Sequence, residues 1–296
     1  MDLRYNAGEV VTAMITPFDE NLKIDYPALE KLVNHLIETG SDAVLIAGTT
    51  GESPTLSFEE ELELFKFVKK VAAGRVKLIA GAGSNSTETA VKTARNMEAL
   101  GADAILSVVP YYNKPSQAGM IAHFSAIAEA VKLPIILYNI KGRTGVNMEP
   151  ETVAFLAKKY ENIVAIKQSN SDLDLVTEMK KLCPEDFAIY CGDDSLTLPM
   201  LSIGAFGVIS VASHVIGNEI KKMITEFKSG NVGQALEIHL KYTDVFKTLF
   251  MCPNPVPVKE ALFKLGISGK KVRLPLVEMN EDERSVFYKK MSSFIG

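Results

Sequence analysis

The chain has 296 residues, of which 47% are hydrophobic and 23% charged, a composition typical of a globular protein with one large domain or two ordinary ones. Its formal net charge of −4 gives no basic surface for nucleic acid or an anionic membrane. Because the N-terminus is charged and no long apolar run follows, neither a signal peptide nor a membrane span is predicted. The three cysteines cannot all pair within the chain, which favours free thiols and a cytoplasmic location.

Short apolar runs alternate with amphipathic segments along the chain and predict strands alternating with helices. The runs are continuous, as expected when both faces of a parallel sheet are buried. Predicted strands cover residues 10–16, 42–47, 76–80, 102–109, 134–139, 163–167, 187–191 and 207–211. Between them, residues 58–71 repeat apolar side chains at helical spacing, and Ser57 with Glu60 has the pattern of a capping box. Ser86 and Asp193 are predicted to begin helices in the same way.

Eight such units predict an α/β fold of the (β/α)8 TIM barrel type. The alternative, a doubly wound sheet, would need a Gly-x-Gly-x-x-Gly turn after the first strand, where residues 16–19 read Thr-Pro-Phe-Asp. The residues after about 215 exceed one closing helix. Additional helices are predicted at residues 231–251, 256–265 and 281–294. We therefore predict a barrel over residues 1–225 and a C-terminal helical extension over residues 226–296 packed on it.

Lys167 and Tyr138 end two successive predicted strands, which is where TIM-barrel active sites lie. A lysine at such a position often extends its amine to solvent. Surrounded by apolar strands, however, it loses solvation, which favours the neutral amine that attack on a keto group requires. Adjacent strands lie about 4.8 Å apart, so Tyr138 can reach the lysine as a general acid/base. A core tyrosine with a hydrogen-bonded hydroxyl is the simpler alternative.

Other polar groups follow the second and fourth predicted strands. Thr49 and Thr50 lie within residues 48–53, a glycine-flanked turn whose backbone N–H groups are suited to hold a carboxylate. The turn lacks the Gly-Lys-Ser/Thr of a phosphate-binding Walker loop. The tyrosine pair at residues 111–112 taken alone indicates packing or an interface. The histidines are scattered and no carboxylates cluster, so no metal site is predicted.

Taken in order, these segments resemble the dihydrodipicolinate synthase / N-acetylneuraminate lyase family. The shared segments are residues 12–18, 48–53, 110–116, 137–139, 165–167, 192–194, 207–211, 254–259 and 273–276. Several independent motifs in one order are more specific than any one of them. The resemblance implies a TIM-barrel Schiff-base lyase that condenses pyruvate with L-aspartate 4-semialdehyde to 4-hydroxy-tetrahydrodipicolinate. That reaction is the first committed step of diaminopimelate and lysine biosynthesis.

The resemblance also implies a role for each matching residue. Lys167 forms an imine with pyruvate, whose carboxylate is held by Thr49, Thr50 and their backbone amides. Tyr138, Thr50 and Tyr112 form a proton relay, with Tyr112 supplied across a tight dimer interface.

The rest of the implied site concerns the second substrate and the pocket wall. Arg143 suits the carboxylate of the semialdehyde, because a guanidinium binds carboxylates through two parallel hydrogen bonds. The backbone around Gly192 and Ile209 completes the pyruvate pocket. No cofactor or metal is implied beyond the covalent imine, and family members are commonly homotetramers arranged as dimers of dimers.

The chain departs from the family pattern at three places. Lys141 stands where the family usually has a proline, which would fix φ and hold the turn around residue 143. Gln168 replaces the usual acidic residue after the lysine. Lysine-inhibited members carry His and Glu at the positions of Phe58, Glu61 and Thr89, so feedback inhibition by lysine is not expected.

Three other functions stay open at this point. One is a sugar-acid lyase acting on N-acetylneuraminate or a 2-keto-3-deoxy acid, although such enzymes usually carry Ser where Thr49 stands and lack a match to residues 112–116. Another is a non-catalytic relative that binds a keto acid. The retention of Lys167, Tyr138, both threonines and Arg143 argues against it. A phosphate-handling barrel is weaker, because the turns after the last two strands carry no glycine-rich anion site.

Overall fold

The computed structural model describes residues 3–295 and contains eight parallel strands that form a closed barrel in chain order. This confirms the predicted α/β barrel. Each strand lies within a few residues of its predicted run, and the largest difference is at the first strand, which ends three residues early. The strands are β1 (Val10–Ala13), β2 (Ala43–Ile46), β3 (Lys77–Gly81), β4 (Ala104–Val108), β5 (Ile135–Asn139), β6 (Ile163–Gln168), β7 (Ala188–Cys191) and β8 (Gly207–Ser210).

Helices follow the strands, and three more come after the helix that follows the last strand, as predicted for the C-terminal extension. The helices are α1 (Tyr26–Glu38), α2 (Phe58–Ala72), α3 (Thr87–Ala99), α4 (Gln117–Ala130), α5 (Lys141–Thr144), α6 (Pro150–Lys159), α7 (Leu173–Leu182), α8 (Thr197–Ser202), α9 (Ser213–Lys228), α10 (Val232–Thr248), α11 (Val256–Lys264) and α12 (Glu281–Ile295). Short 3-10 segments cover Ser53–Thr55 and Asp194–Leu196. No described helix combines the length and apolar character needed to cross a membrane.

A helical segment begins at each of the three predicted helix starts. The Ser57 hydroxyl accepts from the Glu60 amide at 3.1 Å, and the Glu60 carboxylate accepts from the Ser57 amide at 2.9 Å, which is a complete capping box. Ser86 caps α3 through the amide of Thr89. Asp193 directly precedes the helical segment that begins at Asp194, as predicted, although within the described residues its side chain makes no capping hydrogen bond. Burial raises the pKa of the Asp193 carboxyl, and the nearby charge of Lys167 opposes that rise.

The described chain divides into two compact units. The first holds Leu78–Ile209 with the N-terminal residues up to Gly8, and the second holds Glu9–Lys77 with the residues from Ser210 onward. Within the first unit, β4, β5, β6 and β7 are hydrogen-bonded in parallel, so Tyr138 lies beside Lys167 and Lys167 lies beside Tyr190. Within the second unit, α10 packs against α9 and α12.

A buried polar cluster fixes the start of the barrel in the second unit. The Thr12 hydroxyl of β1 lies 2.6 Å from the Ser41 hydroxyl and 2.7 Å from the Ser213 hydroxyl. All three side chains are buried. Because buried hydroxyls lose free energy unless they are hydrogen-bonded, this triplet ties β1 to the start of α9.

His214 adjoins this cluster and holds the residues that follow β1. Its Nδ1–H donates to the Val211 carbonyl at 2.8 Å, and its Nε2 accepts from the Ile15 amide at 3.2 Å. This arrangement requires the neutral ring. Complete burial lowers the pKa of His214 from 6.5 to about 4, assisted by the charge of His35 and opposed by the Val211 hydrogen bond.

We expect His214 to make the fold sensitive to acid. The folded-state pKa of His214 lies below its unfolded value, so the unfolded chain binds the extra proton and stability falls as pH drops from 6.5 to 4. The loss over that range should be about 2 to 3 kcal/mol. Urea unfolding of the wild type and of His214→Gln measures it, because the glutamine variant lacks the titrating ring. Equal pH slopes for the two proteins would contradict the assignment.

Candidate active site

Lys167 and Tyr138 come together in the first unit, as predicted from their strand-end positions. Their Cα atoms are register partners between β5 and β6, and both side chains are buried. Lys167 is only 6% exposed, and its Nζ lies 4.5 Å from the centroid of the Tyr138 ring. An amine over an aromatic face is stabilised in its charged form by the ring quadrupole. The tyrosine ring and the lysine amine are therefore in direct contact.

Gly192 leaves the space that the lysine side chain occupies. A Cβ built on Gly192 would overlap Ser169 Oγ and come within 3.0 Å of Lys167 Cε. The Gly192 amide also donates to the Gln168 carbonyl at 2.8 Å, which fixes the end of β7 beside the end of β6. Glycine is therefore required here by close packing against Ser169 and Lys167, and the role of Gly192 in substrate binding stays a prediction.

Asp193 is an acidic neighbour of Lys167 directly after β7, inside the segment 192–194 on which the family resemblance rests. Burial raises the pKa of the Asp193 carboxyl, the charge of Lys167 opposes that rise, and Asp194 raises the pKa further. A half-buried carboxylate therefore lies close to the lysine amine.

Gln168 is explained by its partner on the neighbouring strand. Its Oε1 accepts from Asn139 Nδ2 at 3.0 Å, and both side chains are fully buried. Side chains alternate between the faces of a strand, so Asn139 and Gln168 face away from Tyr138 and Lys167. A neutral amide satisfies the asparagine donor without placing a charge in this buried position, where an unpaired carboxylate would be costly.

Arg143 lies in the turn that follows β5, on the short helix α5. The side chain is exposed. Lys141, at the position where a proline was expected, begins this helix, and its carbonyl accepts from the Gly145 amide at 2.9 Å. Gly145 has a φ of +77°, which glycine adopts without strain. Hydrogen bonds thus hold the turn that a proline would otherwise stiffen.

Asn139 links this turn to Gln168. Its Nδ2 also donates to Asn147 Oδ1 at 2.9 Å, and its Oδ1 accepts from the Met148 amide at 3.0 Å. The residues that close the Arg143 turn are therefore fixed to the end of β5 by one buried amide.

We expect Gln168→Met to loosen this arrangement without touching the lysine. Methionine preserves the volume and removes the acceptor, which leaves one Asn139 proton with only the distant Met148 carbonyl at 3.4 Å, at a cost of about 1 kcal/mol. The Michaelis constant for the second substrate should rise by roughly 2- to 10-fold, because the Arg143 turn is less well fixed. Steady-state kinetics and thermal unfolding measure the two effects. An unchanged Michaelis constant in a destabilised protein would mean that Gln168 serves the fold alone.

Tyr112 extends away from the first unit and is 89% exposed. It has a φ of +71°, and Lys114 has a φ of +45°. Non-glycine residues in this region are uncommon and carry strain, which the surrounding structure must offset. Asn113 does so in part, because its Nδ2 donates to the Asn85 carbonyl at 2.9 Å. The turn therefore presents a large aromatic side chain to the outside.

Thr49 and Thr50 lie in the second unit, in the turn that follows β2. Thr50 is 3% exposed, and its Oγ1 accepts from Asn254 Nδ2 at 2.9 Å. The turn closes through the Glu52 amide, which donates to the Thr49 carbonyl at 3.1 Å. Gly51 packs tightly, because a Cβ there would lie 3.1 Å from the Met14 carbonyl. The threonines were predicted as site residues from the sequence, whereas their contact with Asn254 was not.

A buried ion pair holds the end of the same turn. Lys259 Nζ donates to Glu52 Oε1 at 2.5 Å, with the two side chains 0% and 1% exposed. The other Glu52 oxygen accepts from the Arg273 amide at 3.0 Å. The Arg273 guanidinium binds both oxygens of Glu60. The C-terminal residues thus fix the turn that carries the threonines.

The remaining predicted residue, Ile209, is buried in β8 of the first unit. Its role in the pyruvate pocket stays a prediction, as do the roles assigned to Thr49, Thr50, Tyr112 and Arg143. Among residues 3–295, no group of three or more His, Cys, Asp or Glu side chains is arranged to hold a metal ion.

The chain is similar to known proteins over nearly its whole length. The Dihydrodipicolinate synthetase family model matches residues 6–293. The 4-hydroxy-tetrahydrodipicolinate synthase 1 of Halalkalibacterium halodurans is 52% identical over 279 residues, covering 94% of each protein. A crystal structure of DHDPS from Cyanidioschyzon merolae with lysine bound superposes with a TM-score of 0.95 at 48% identity, over 97% of this chain and 98% of that one. Dihydrodipicolinate synthase from Bacillus anthracis gives a TM-score of 0.95 at 46% identity, with the same coverage.

Proposed function

The chain belongs to the Dihydrodipicolinate synthetase family, and from that premise we propose that it condenses pyruvate with L-aspartate 4-semialdehyde to 4-hydroxy-tetrahydrodipicolinate. The observation that carries this proposal is the placement of Lys167 Nζ 4.5 Å from the Tyr138 ring in a buried position. It supplies an amine nucleophile and a proton donor together, which is what imine chemistry requires. The reaction is a class I, Schiff-base lyase reaction of lysine and diaminopimelate biosynthesis.

The lysine amine attacks the keto carbon of pyruvate and forms a carbinolamine. Tyr138 returns a proton to the departing hydroxyl, water leaves, and an imine forms. Loss of a proton from the pyruvate methyl group gives an enamine, whose carbon attacks the aldehyde of the semialdehyde. The semialdehyde amine then adds to the imine carbon and releases Lys167 as the ring closes. The whole sequence consumes both substrates and releases one water.

Other residues bind the carboxylates in this proposal. Thr49 and Thr50 supply hydroxyl and backbone donors for the pyruvate carboxylate, and the backbone at Gly192 and Ile209 contacts the same substrate. Arg143 binds the carboxylate of the semialdehyde through its guanidinium. Its side chain is exposed, so a substrate can reach it from solvent. No cofactor takes part beyond the imine on Lys167.

The exposed Tyr112 supports a homotetramer built as a dimer of dimers. Tyr112 is 89% exposed in a strained turn, and in this proposal a second copy of the chain covers its side chain. It then joins the proton relay with Tyr138 and Thr50 in the neighbouring copy. Analytical ultracentrifugation tests this, and a monomer with full activity would exclude it. The free thiols Cys183, Cys191 and Cys252 fit action in the reducing cytoplasm.

Borohydride reduction in the presence of pyruvate tests the Schiff base. Mass spectrometry should find reduced pyruvate on Lys167 and on no other lysine. Adding aspartate semialdehyde to untreated protein should give the ring product, detected by NMR spectroscopy. Trapping without ring formation, together with cleavage of N-acetylneuraminate or a 2-keto-3-deoxy acid, would assign the chain to sugar-acid lyases instead. No trapping in folded protein would leave a keto-acid-binding role.

A further inference from the structure

We propose that Asn254 is a positioning residue that directs the hydroxyl proton of Thr50 toward the pyruvate carboxylate. This inference rests on the proposed function and adds a residue that acts through Thr50. It follows from the direction of one buried hydrogen bond in the second unit.

The Thr50 hydroxyl has one proton and two lone pairs, and Asn254 occupies one of the lone pairs. Asn254 Nδ2 donates to Thr50 Oγ1 at 2.9 Å. Among residues 3–295, no acceptor receives the Thr50 proton, although the side chain is only 3% exposed. Because a buried donor without a partner costs free energy, the site is complete only when an acceptor enters. A substrate carboxylate is such an acceptor.

The orientation of the Asn254 amide decides whether the Thr50 proton is available to substrate. Its Oδ1 is buried and has no hydrogen-bond partner within the described chain. With Nδ2 toward Thr50, the amide donates to the hydroxyl and the hydroxyl donates to an entering carboxylate, which makes two hydrogen bonds. If the amide were turned over, its Oδ1 would take the Thr50 proton, both amide protons would be unpaired, and only one hydrogen bond would form. The orientation in the structure is therefore the one that favours a bound carboxylate.

The threonine turn and the segment that carries Asn254 are held together at two points. Asn254 contacts Thr50, and Lys259 pairs with Glu52 in the same turn. Glu52 has a φ of +56°, so the ion pair stabilises a backbone conformation that few non-glycine residues adopt. Two fixed points prevent rotation of the turn, and the Asn254 amide keeps its direction relative to the hydroxyl.

Two substitutions of Asn254 distinguish the effect of the hydrogen-bond direction from the effect of side-chain packing. Asn254→Asp, assayed well above the ordinary carboxyl pKa range, can only accept, so the Thr50 proton should turn toward it and away from substrate. Asn254→Leu neither donates nor accepts and leaves the proton free. We expect pyruvate-imine formation, measured as the rate of borohydride trapping on Lys167, to fall by about 10- to 100-fold in the Asp variant and by less in the Leu variant.

A double-mutant cycle with Thr50→Val removes the confounding effect of the new charge. If Asn254 acts through the hydroxyl, Asn254→Asp should cause no further loss when the hydroxyl is absent. An equal loss in both backgrounds, or a Leu variant slower than the Asp variant, would overturn the inference. Thermal unfolding of each variant shows which losses come from the fold.

These outcomes are separate from failure of the proposed function. Trapping needs pyruvate alone, so the cycle can be completed even if the wild type forms no ring product. Absence of the ring product would reject the proposed reaction, and additivity in the cycle would reject the role of Asn254.

Discussion

Lys167→Met is expected to abolish pyruvate trapping and to lower formation of the ring product by on the order of 10³-fold or more. Methionine matches the length of lysine and tolerates the buried position, so the fold should survive while the nucleophile is lost. Because every proposed step after the first needs the covalent intermediate, imine formation and ring formation should fail together. Borohydride reduction with labelled pyruvate measures the intermediate directly.

The matched control is Lys181→Met, which removes a lysine whose side chain is 70% exposed on α7. It should retain wild-type activity and trapping. Label that persists in Lys167→Met would identify another nucleophile. Lys259 would then be the first residue to examine, because it is the other fully buried lysine discussed above.

Lys259→Met is expected to destabilise the protein by about 3 to 5 kcal/mol. The substitution leaves the Glu52 carboxylate buried with the Arg273 amide as its remaining hydrogen-bond donor among residues 3–295. Burial lowers the pKa of Lys259 to about 8, and Glu52 opposes that shift, so the Lys259 amine is charged at neutral pH. Removing one charge of a buried pair costs more than the pair contributes, because the other charge stays desolvated. Urea unfolding measures the loss.

The double variant Glu52→Gln with Lys259→Met should recover part of this stability, because it removes both charges. Lys66→Met is the surface counterpart, since the side chains of the Lys66–Glu63 pair are 50% and 60% exposed. It should change stability by less than about 1 kcal/mol. A Lys259→Met variant within that same range would show that the buried pair is not needed to hold the threonine turn.

The strands and long helices could be predicted from sequence because their apolar periodicity is local. The helix α5 could not, since its four residues show no helical period and are held by hydrogen bonds to Ile140 and Gly145. The first strand was predicted three residues too long for a related reason. Ile15 and Thr16 are buried like strand residues but bond to His214 and Gly51. Tertiary contacts, which have no local signal, end the strand.

The residues of the candidate site also differ in whether local sequence predicts them. Lys167 and Tyr138 were predictable because parallel strands place their C-terminal ends together, and the register confirms their proximity. Asn254 and Thr50 are 204 positions apart, and nothing in either local sequence indicates that they touch. Lys259 and Glu52 are of residue types that are rarely buried, which predicts exposure. Only the folded chain reveals that they are buried.

The contacts that fix the threonine turn also set the order in which the site can be completed during synthesis. Thr50 is made 204 residues before Asn254, and Lys259 and Arg273 follow later still. A nascent chain can fold its earlier elements while this turn is still unsecured. A chain released before residue 254 would carry Lys167 and both threonines without the contacts that place Thr50.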